Sequence, residues 1–204
     1  MNSELSVFIK YYHKFVIISS LAATVAVFGW SAIQVPKFSS YSRVLVIAKN
    51  YDMAKALQTS ARMAQIWQEI IRSTSFLNSV LGAGFSIDRS EFTDVANQQE
   101  VWQKTVKVKS VPNSGILKIE IISSSRHQAL LINQAIHAKL ASTASDYFGY
   151  GNDVKILDKA RISGGPTHPN LWLNSLIALI LGLSAAIILS CGHYYIKGQT
   201  LAAK

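Results

Sequence analysis

The side chains that could do chemistry are few, and their spacing does not assemble an active site. His127 and His137 are ten residues apart on one predicted helix, so they point in different directions and do not form a metal-ligand pair. Asp88, Glu91 and Asp94 form a short acidic patch, which is more typical of a solvated loop than of a metal site or a catalytic pair. We therefore predict no catalytic residue, no metal site and no cofactor.

The serine, glycine and cysteine residues give no stronger signal. The run 123–125 could supply a nucleophile, but serines between a strand and a helix are more typical of a helix N-cap. The stretch 82–84 (Gly-Ala-Gly) lacks the strand before it and the helix after it that a nucleotide-binding loop needs. Cys191 is the single cysteine, so the sequence holds no cysteine pair. These patterns favour a protein that is not an enzyme.

Two uncharged apolar runs, one near each end, set the organisation of the chain. They cover residues 15–35 and 171–191, and each is 21 residues long. A hydrocarbon core of roughly 30 Å needs about 20 helical residues to cross it. A buried core helix of this length rarely lacks a charge, and Ser31-Ala32-Ile33 is a poor signal-peptide cleavage site. We therefore predict transmembrane helices at 15–35 and 171–196.

These spans divide the chain into two short tails and one long loop. The predicted parts are cytoplasmic tails at 1–14 and 197–204 and a central domain at 36–170 that ends in a proline-containing linker. Lysine and arginine flank both sides of each span, so the positive-inside rule does not choose an orientation. A loop of 135 residues can be translocated largely regardless of its charge. We therefore expect the central domain to be extracytoplasmic.

The net charge of +9 raises the question of an anionic partner. The central loop carries 16 Lys and Arg and 10 Asp and Glu, a surplus of 6 spread along its length. No basic cluster interleaved with aromatic residues occurs, so we predict no nucleic-acid binding. A mildly basic domain facing anionic lipid or an acidic glycan remains the better interpretation.

Hydrophobic periodicity in the loop predicts the order β-α-(α)-β-β-α-β. The turn at 112–115 (Pro-Asn-Ser-Gly) predicts a hairpin between two of the strands. We expect helices on one face of a small sheet, that is, a compact α/β domain within an α+β membrane protein. Strands are predicted at 40–48, 104–109, 116–122 and 153–160, and helices at 53–71, 76–81 and 126–147, with a weak helix in 89–99.

Four features in this order carry a family resemblance. They are a Tyr-x-x-x-x-Val/Ile strand at 41–47 after the first membrane helix, a helix with alanine and asparagine at 129–135, a last strand ending at Ala160, and a proline-spaced linker at 166–171. The layout resembles the chain-length determinant family of polysaccharide co-polymerases (the Wzz-type proteins), in a short form akin to the membrane adaptors of bacterial tyrosine kinases. The motif residues are Tyr41, Asn133, Ala160, Pro166, Pro169 and Gly182.

The resemblance implies a mechanical function. Such proteins form rings of identical subunits in the bacterial inner membrane and set the chain length or export of O-antigen, capsule or exopolysaccharide without catalysis. The implied partners are other copies of the chain, membrane lipid, a polysaccharide polymerase or export complex with its glycan, and a separate cytoplasmic tyrosine kinase. The loop is too short for the long helical arm of larger members, and the fused kinase of some relatives is absent from this sequence.

Small residues in both apolar runs give partial physical support for helix association. Ala22, Ala26 and Gly29 lie along one stripe of the first run, and Gly182 with Ala186 makes a small-xxx-small pair in the second. Alanine and glycine are also simply common in membrane helices, so this pattern alone does not decide. The alternative function is an extracytoplasmic sensor or adaptor subunit of a signalling or secretion complex. A ligand pocket would favour the sensor, and a ring-forming lateral surface would favour the co-polymerase.

Overall fold

The chain folds into two units. The computed structural model describes residues 2–49, 52–149 and 152–202, with the side chains of residues 12–195 within those ranges. One unit holds the terminal segments, up to Val35 and from His168, and the other runs from Pro36 to Thr167. In chain order the elements are α1 (Asn2–Ile33), β1 (Phe38–Ala48), α2 (Met53–Ile71), α3 (Thr74–Leu81), a 3-10 turn (Ser90–Phe92), α4 (Gln98–Thr105), β2 (Val106–Ser110), β3 (Ile116–Ser123), α5 (Arg126–Phe148), β4 (Asn152–Ile162) and α6 (Leu171–Ala202).

The terminal unit consists of α1 and α6, each of which contains a segment long and apolar enough to cross a membrane. These segments are Tyr12–Ile33, with 22 residues, and Leu171–Tyr195, with 25. Within the 18-residue apolar window of each segment, only 11% of the first and 17% of the second is buried, whereas the core helix of a soluble protein would be mostly buried. The prediction of two terminal helices of membrane-spanning length and composition is therefore confirmed.

Helices α1 and α6 approach each other closely at a glycine. A Cβ atom added to Gly182 would lie 3.3 Å from both the Cβ of Ala23 and the Cα of Ser20. Near one end of the pair, the Asn174 side chain donates a hydrogen bond of 3.1 Å to the Ser31 hydroxyl. Small residues permit this approach, and interhelical hydrogen bonds of this kind contribute roughly 0.6 kcal/mol each in lipid.

The central unit contains a four-stranded antiparallel sheet with the strand order β2-β3-β1-β4. Alternation in β1 buries Ser40, Ser42, Val44 and Val46 on one face, where α2 and α5 pack. The other face is exposed at Tyr41 and becomes only partly buried further along the strand. The expected α+β class is confirmed, with helices against one face of a small sheet.

The core between sheet and helices is apolar and is centred on two tryptophans. Trp67 of α2 and Trp102 of α4 are both fully buried. The indole N–H of Trp102 donates a hydrogen bond of 2.7 Å to the carbonyl oxygen of Ile71, which ties α4 to the end of α2. The completely buried aliphatic side chains of this core include Val44, Ile71, Leu77, Val80, Leu117, Ile121, Ile136 and Leu140.

The segment before β2 differs from the prediction in one place. The alternation of residues 104–109 predicted a strand from Lys104, but α4 continues to Thr105 and the strand begins at Val106. A helical turn here lets Trp102 reach the core, and this tertiary packing overrides the local alternating pattern. The weak helix expected in 89–99 is a 3-10 turn, and α4 begins only at Gln98.

Candidate functional site

The exposed side of the sheet carries two neighbouring rows of polar side chains, each crossing all four strands. In the first row, Lys107 of β2 pairs with Glu120 of β3, Glu120 with Tyr41 of β1, and Tyr41 with Arg161 of β4. In the second row the corresponding residues are Lys109, Lys118, Arg43 and Asp158, in the same strand order. We call these eight residues the open face.

The open face lines a groove of about 560 Å³ with an excess of positive charge. It holds five cationic side chains against two carboxylates. Arg43 forms an ion pair with Asp158, and the Ser39 hydroxyl donates a hydrogen bond of 2.9 Å to Glu120. Both acids are therefore engaged within the protein, and the remaining lysines stay available to an anion.

Lys109 and Lys118 stand directly opposite each other in the β2–β3 ladder. Like charges in this position destabilise a sheet by a few tenths of a kcal/mol or more. Both lysines are exposed, as is Tyr41, whose relative exposure is 44%. The arrangement can hold a carboxylate or phosphate between two ammonium groups beside an aromatic ring.

A buried polar network lies beneath the sheet, on its helix-covered face. The His137 ring nitrogen Nε2 lies 2.8 Å from the Ser42 hydroxyl, which donates a hydrogen bond of 2.8 Å to Asn133 Oδ1. The Asn133 amide donates in turn to the Ser40 hydroxyl at 3.0 Å. Because the Ser42 proton goes to Asn133, His137 is assigned as the Nε2–H donor.

This serine–histidine pair supports the fold rather than nucleophilic chemistry. Ser42 is 4% exposed and His137 is 7% exposed, so a substrate does not reach them. A histidine activating a serine would accept its proton, whereas the Ser42 proton is directed at Asn133. The network instead fixes α5 against β1 through satisfied polar contacts.

Burial lowers the pKa of His137 below its ordinary value of 6.5. The unfolded chain then binds a proton that the folded chain excludes, so stability is full above about pH 6.5 and falls as the pH drops through the folded-state pKa. We expect a loss of at most about 1.4 kcal/mol per pH unit in this range. Urea unfolding of the full chain in detergent, followed by near-ultraviolet circular dichroism from pH 7.5 to 5, measures it.

The matched control for this pH dependence lies on the same helix. His137→Gln should flatten the decrease in stability below pH 6.5, because the titrating group is gone. His127→Gln removes an exposed histidine and should leave the decrease unchanged. If stability fell equally steeply with pH in the two variants, His137 would not be the cause of the decrease below pH 6.5.

The acidic patch serves local turns. Asp88 Oδ1 accepts a hydrogen bond of 2.9 Å from the Ser90 N–H, and this contact with Ser90 lowers the pKa of Asp88. Asp94 Oδ1 accepts from the Ala96 N–H at 3.0 Å. Both carboxylates thus stabilise loop geometry, as the solvated-loop interpretation predicts.

The serine run is confirmed as a helix N-cap. Ser125 is the N-cap of α5, and its hydroxyl accepts a hydrogen bond from the Gln128 N–H. His127 on the first turn is exposed. Neither Ser125 nor His127 lies on the open face. The structure therefore does not bring these two residues together with the charged residues of the open face.

The residues of the family resemblance lie at three kinds of position in the central unit. Tyr41 stands near the middle of the open face, and Asn133 is the centre of the buried network. Ala160 lies in β4 where two residues of that strand oppose Ser42 alone, between the pairs Tyr41–Arg161 and Arg43–Asp158. Such a bulge twists an edge strand and discourages further strand pairing.

The prolines of the linker flank the junction between the units. Pro166 is exposed and precedes Thr167, whose N–H donates a hydrogen bond of 2.8 Å to the carbonyl oxygen of Lys37. Pro169 immediately precedes Asn170, whose side chain accepts from the Leu173 N–H at 3.2 Å at the start of α6. Both prolines therefore lie in the linker, before α6 begins at Leu171.

The small residues of the apolar helices divide into two groups. Gly182 contacts α1, and Ala186, four residues further along α6, is 3% exposed. Ala22 and Ala26 are exposed, and an added Cβ on Gly29 would meet nothing within 4 Å. The first group serves packing within the chain, and the association of subunits through the second stays a prediction.

Sequence reasoning found the positive charge but not the open face. The alternation in residues 107–109, 118–120 and 41–43 shows that each strand projects these side chains on one side. Their convergence depends on the register between strands that are far apart in sequence, such as Lys118 opposite Arg43. The signal present in the sequence was lysine at the alternate positions 107 and 109 of one strand, with Lys118 on the strand that the predicted hairpin joins to it.

Comparison with known proteins gives a distant relationship. No protein-family profile matches the chain. Two curated proteins, both called capsular polysaccharide biosynthesis protein CpsC, one from Streptococcus agalactiae and the other from Streptococcus agalactiae serotype Ia, are each 25% identical to it over 172 residues. The similarity covers 81% of this chain and 70% of each relative. Together with the two exposed apolar helices, it indicates a membrane protein.

Proposed function

We propose that the chain is a non-catalytic regulator of the chain length or export of a bacterial surface polysaccharide. The observation that carries this proposal is the similarity to CpsC proteins over 81% of the chain. The plan of two apolar helices around an α+β unit supports it. The protein then resides in the bacterial plasma membrane, with the central unit outside the cytoplasm and a polymerase or export complex, or a separate tyrosine kinase, as its partner.

The regulator acts as a ring of identical subunits in this proposal. Ala22 and Ala26 are exposed on α1, on a surface that α6 leaves uncovered. Small residues on a lipid-facing stripe let a neighbouring helix approach closely, where van der Waals packing drives association. The stripe thus provides a contact for a second copy, while Gly182 and Ala186 serve the contact with α1 inside each copy.

The alternative is a sensor or adaptor subunit of a signalling or secretion complex, and a pocket that encloses a ligand would favour it. A sensor of a small molecule typically encloses most of its ligand. The groove on the open face instead lies open along the sheet and crosses all four strands. A surface of that form suits a segment of a longer polymer better than a small enclosed ligand.

Removing the protein from its own cells should shift the surface polysaccharide to shorter chains or to an unregulated distribution. The reason is that a length regulator acts on how long each polymer grows and not on bond formation. The size distribution on a gel, compared between deleted and complemented cells, measures this. An unchanged distribution in the deleted cells would count against the proposal and favour the sensor alternative.

A variant carrying Ala22→Leu and Ala26→Leu extends the same experiment to the ring. Bulky side chains on the exposed stripe should reduce the size of the assembly on native gels and shorten the polymer in complemented cells. Val25→Leu, at an exposed position on the same helix, is a control because it replaces one bulky apolar side chain with another. If the variant with Ala22→Leu and Ala26→Leu assembled normally, the stripe would not be part of the interface between copies.

A further inference from the structure

The open face holds four cationic side chains without an ion-pair partner. In the described part of the chain, Arg43 pairs with Asp158, whereas Lys107, Lys109, Lys118 and Arg161 are in no salt bridge. The four lie on β2, β3 and β4, and all of them are exposed around one groove. Converging uncompensated charge raises the local concentration of an anionic ligand.

The pairing of Lys109 with Lys118 indicates that the uncompensated positive charge of the open face serves binding. The two ammonium-bearing side chains are directly opposite in the ladder, an arrangement that destabilises the sheet. A glutamate at either position would relieve the repulsion and complete a cross-strand ion pair. A bound carboxylate between the two lysines relieves the same repulsion, because it supplies the missing negative charge.

The remaining residues of the open face favour a sugar polymer over a lipid surface. Tyr41 presents its ring in the middle of the first row, between Glu120 and Arg161, and an exposed aromatic ring can stack on the C–H face of a sugar. Glu120 and Asp158 are hydrogen-bond acceptors that suit sugar hydroxyls. A phosphatidylglycerol surface, by contrast, presents no sugar ring for Tyr41 to stack on.

The dimensions of the face fit a polymer segment. Four strands spaced by about 4.8 Å extend across roughly 14 Å, and the cations are distributed over that whole width. A single small anion would need only one cluster of charge. A chain with a repeated negative group can contact Lys107 and Lys109 at one edge and Arg161 at the other.

We propose that the open face binds a segment of acidic polysaccharide. The carboxylates of the polymer lie against Lys107, Lys109, Lys118 and Arg161, and a sugar ring stacks on Tyr41. This inference rests on the proposed function, because it names the class of glycan that the regulator handles. The regulator then holds the growing polymer by charge and by one aromatic contact, without altering a covalent bond.

The test uses the purified full chain in phosphatidylcholine nanodiscs and two acidic probes, polygalacturonate and polysialic acid, with dextran as the neutral probe. We expect binding to at least one acidic probe and none to dextran, and the binding should weaken as salt screens the exposed charges. Lys109→Gln with Lys118→Gln should reduce affinity by about fivefold to tenfold, since two exposed charge contacts are lost.

The control variant carries Lys55→Gln and Lys139→Gln, on the helices that cover the other face. It changes the net charge by the same amount and should bind like the original chain. The open-face variant should have an unchanged or higher melting temperature, because the repulsion between its two lysines is gone. Tyr41→Ala is a second test, which should weaken binding without changing charge.

Three results would overturn the inference. One is that neither acidic probe binds, and another is that the open-face and control variants bind equally well. The third is that the two open-face lysines are needed for binding to phosphatidylglycerol vesicles or for the assembly of copies, and not for glycan binding. Because binding is measured on purified protein and chain length is measured in cells, each proposal can fail without the other.

Discussion

Replacing Gly115 with alanine is expected to destabilise the central unit by about 3 kcal/mol or more. An added Cβ would lie 2.2 Å from the carbonyl oxygen of Val46 and 2.9 Å from the Cβ of Ser60. Neither group can move freely. Val46 is held in the strand backbone, where its N–H donates to the Gly115 carbonyl oxygen at 2.8 Å, and Ser60 is fixed through its hydrogen bond with the Ala48 N–H.

The free energy of unfolding in urea, measured on the full chain in detergent, tests this prediction. A loss of about 3 kcal/mol is a large part of the roughly 5–15 kcal/mol that holds most domains folded. Gly164→Ala is the control, because an added Cβ there meets nothing within 4 Å. It should stabilise by about 0.5 kcal/mol through the lower entropy of the unfolded chain. Equal stability of Gly115→Ala and the original chain would contradict the packing described.

Replacing Asn133 with alanine should destabilise the central unit by about 3 kcal/mol. Asn133 is fully buried, and its amide satisfies the hydroxyls of Ser40 and Ser42, which are also buried. Its removal takes away the amide oxygen that accepts the Ser42 proton and the amide N–H that donates to the Ser40 hydroxyl. A small cavity adds to the cost, because the interior around α5 and β1 is closely packed.

A double-mutant cycle separates the hydrogen bonds from the cavity. If the network acts as a unit, Asn133→Ala combined with Ser42→Ala should cost clearly less than the sum of the two single changes. Ser142 on α5 offers the contrast: it is exposed, and its hydroxyl donates to the carbonyl oxygen of Lys139 on the same helix, outside the buried network, so Ser142→Ala should be nearly neutral and additive. Strict additivity between Asn133 and Ser42 would show that their contact at 2.8 Å contributes little.

The overall fold was accessible from the sequence because local patterns and tertiary packing agree along most of the chain. Alternation over 40–48 and 116–122 predicted strands that the structure extends to Phe38–Ala48 and Ile116–Ser123. The turn ending at Gly115 predicted the hairpin, which the structure forms between β2 and β3. Uncharged runs of membrane length predicted α1 and α6, since length and composition alone decide that property.

The remaining features depend on contacts between distant segments. Trp102 draws residues 98–105 into a helix where a strand was predicted from Lys104, because burying the indole outweighs the alternating pattern. The bulge at Ala160 arises from the pairing of β4 with β1 and has no local signature. The open face likewise needs the register that sets Lys109 against Lys118, which no single stretch of sequence reveals.

Asn133, one of the residues that carry the family resemblance, has a structural role in the fold. It was singled out as part of an alanine- and asparagine-bearing helix, and the structure places it at full burial between two serine hydroxyls. A polar side chain in that position favours the observed docking of α5 on the sheet, because this register satisfies its hydrogen bonds. Because α5 packs on one face of β1, Tyr41 and Arg43 lie exposed on the opposite face.

A protein that sets polymer length without making polymer bonds is tested most directly by the mean chain length of the polymer. Total surface polysaccharide and the number of polymer chain ends would be determined together in cells with the protein, without it, and with the Lys109→Gln and Lys118→Gln variant. We predict that cells without the protein keep a similar number of chains whose mean length changes, and that the variant shifts the length in the same direction. A fall in the number of chains at constant mean length, or no change in either quantity, would contradict the proposed function.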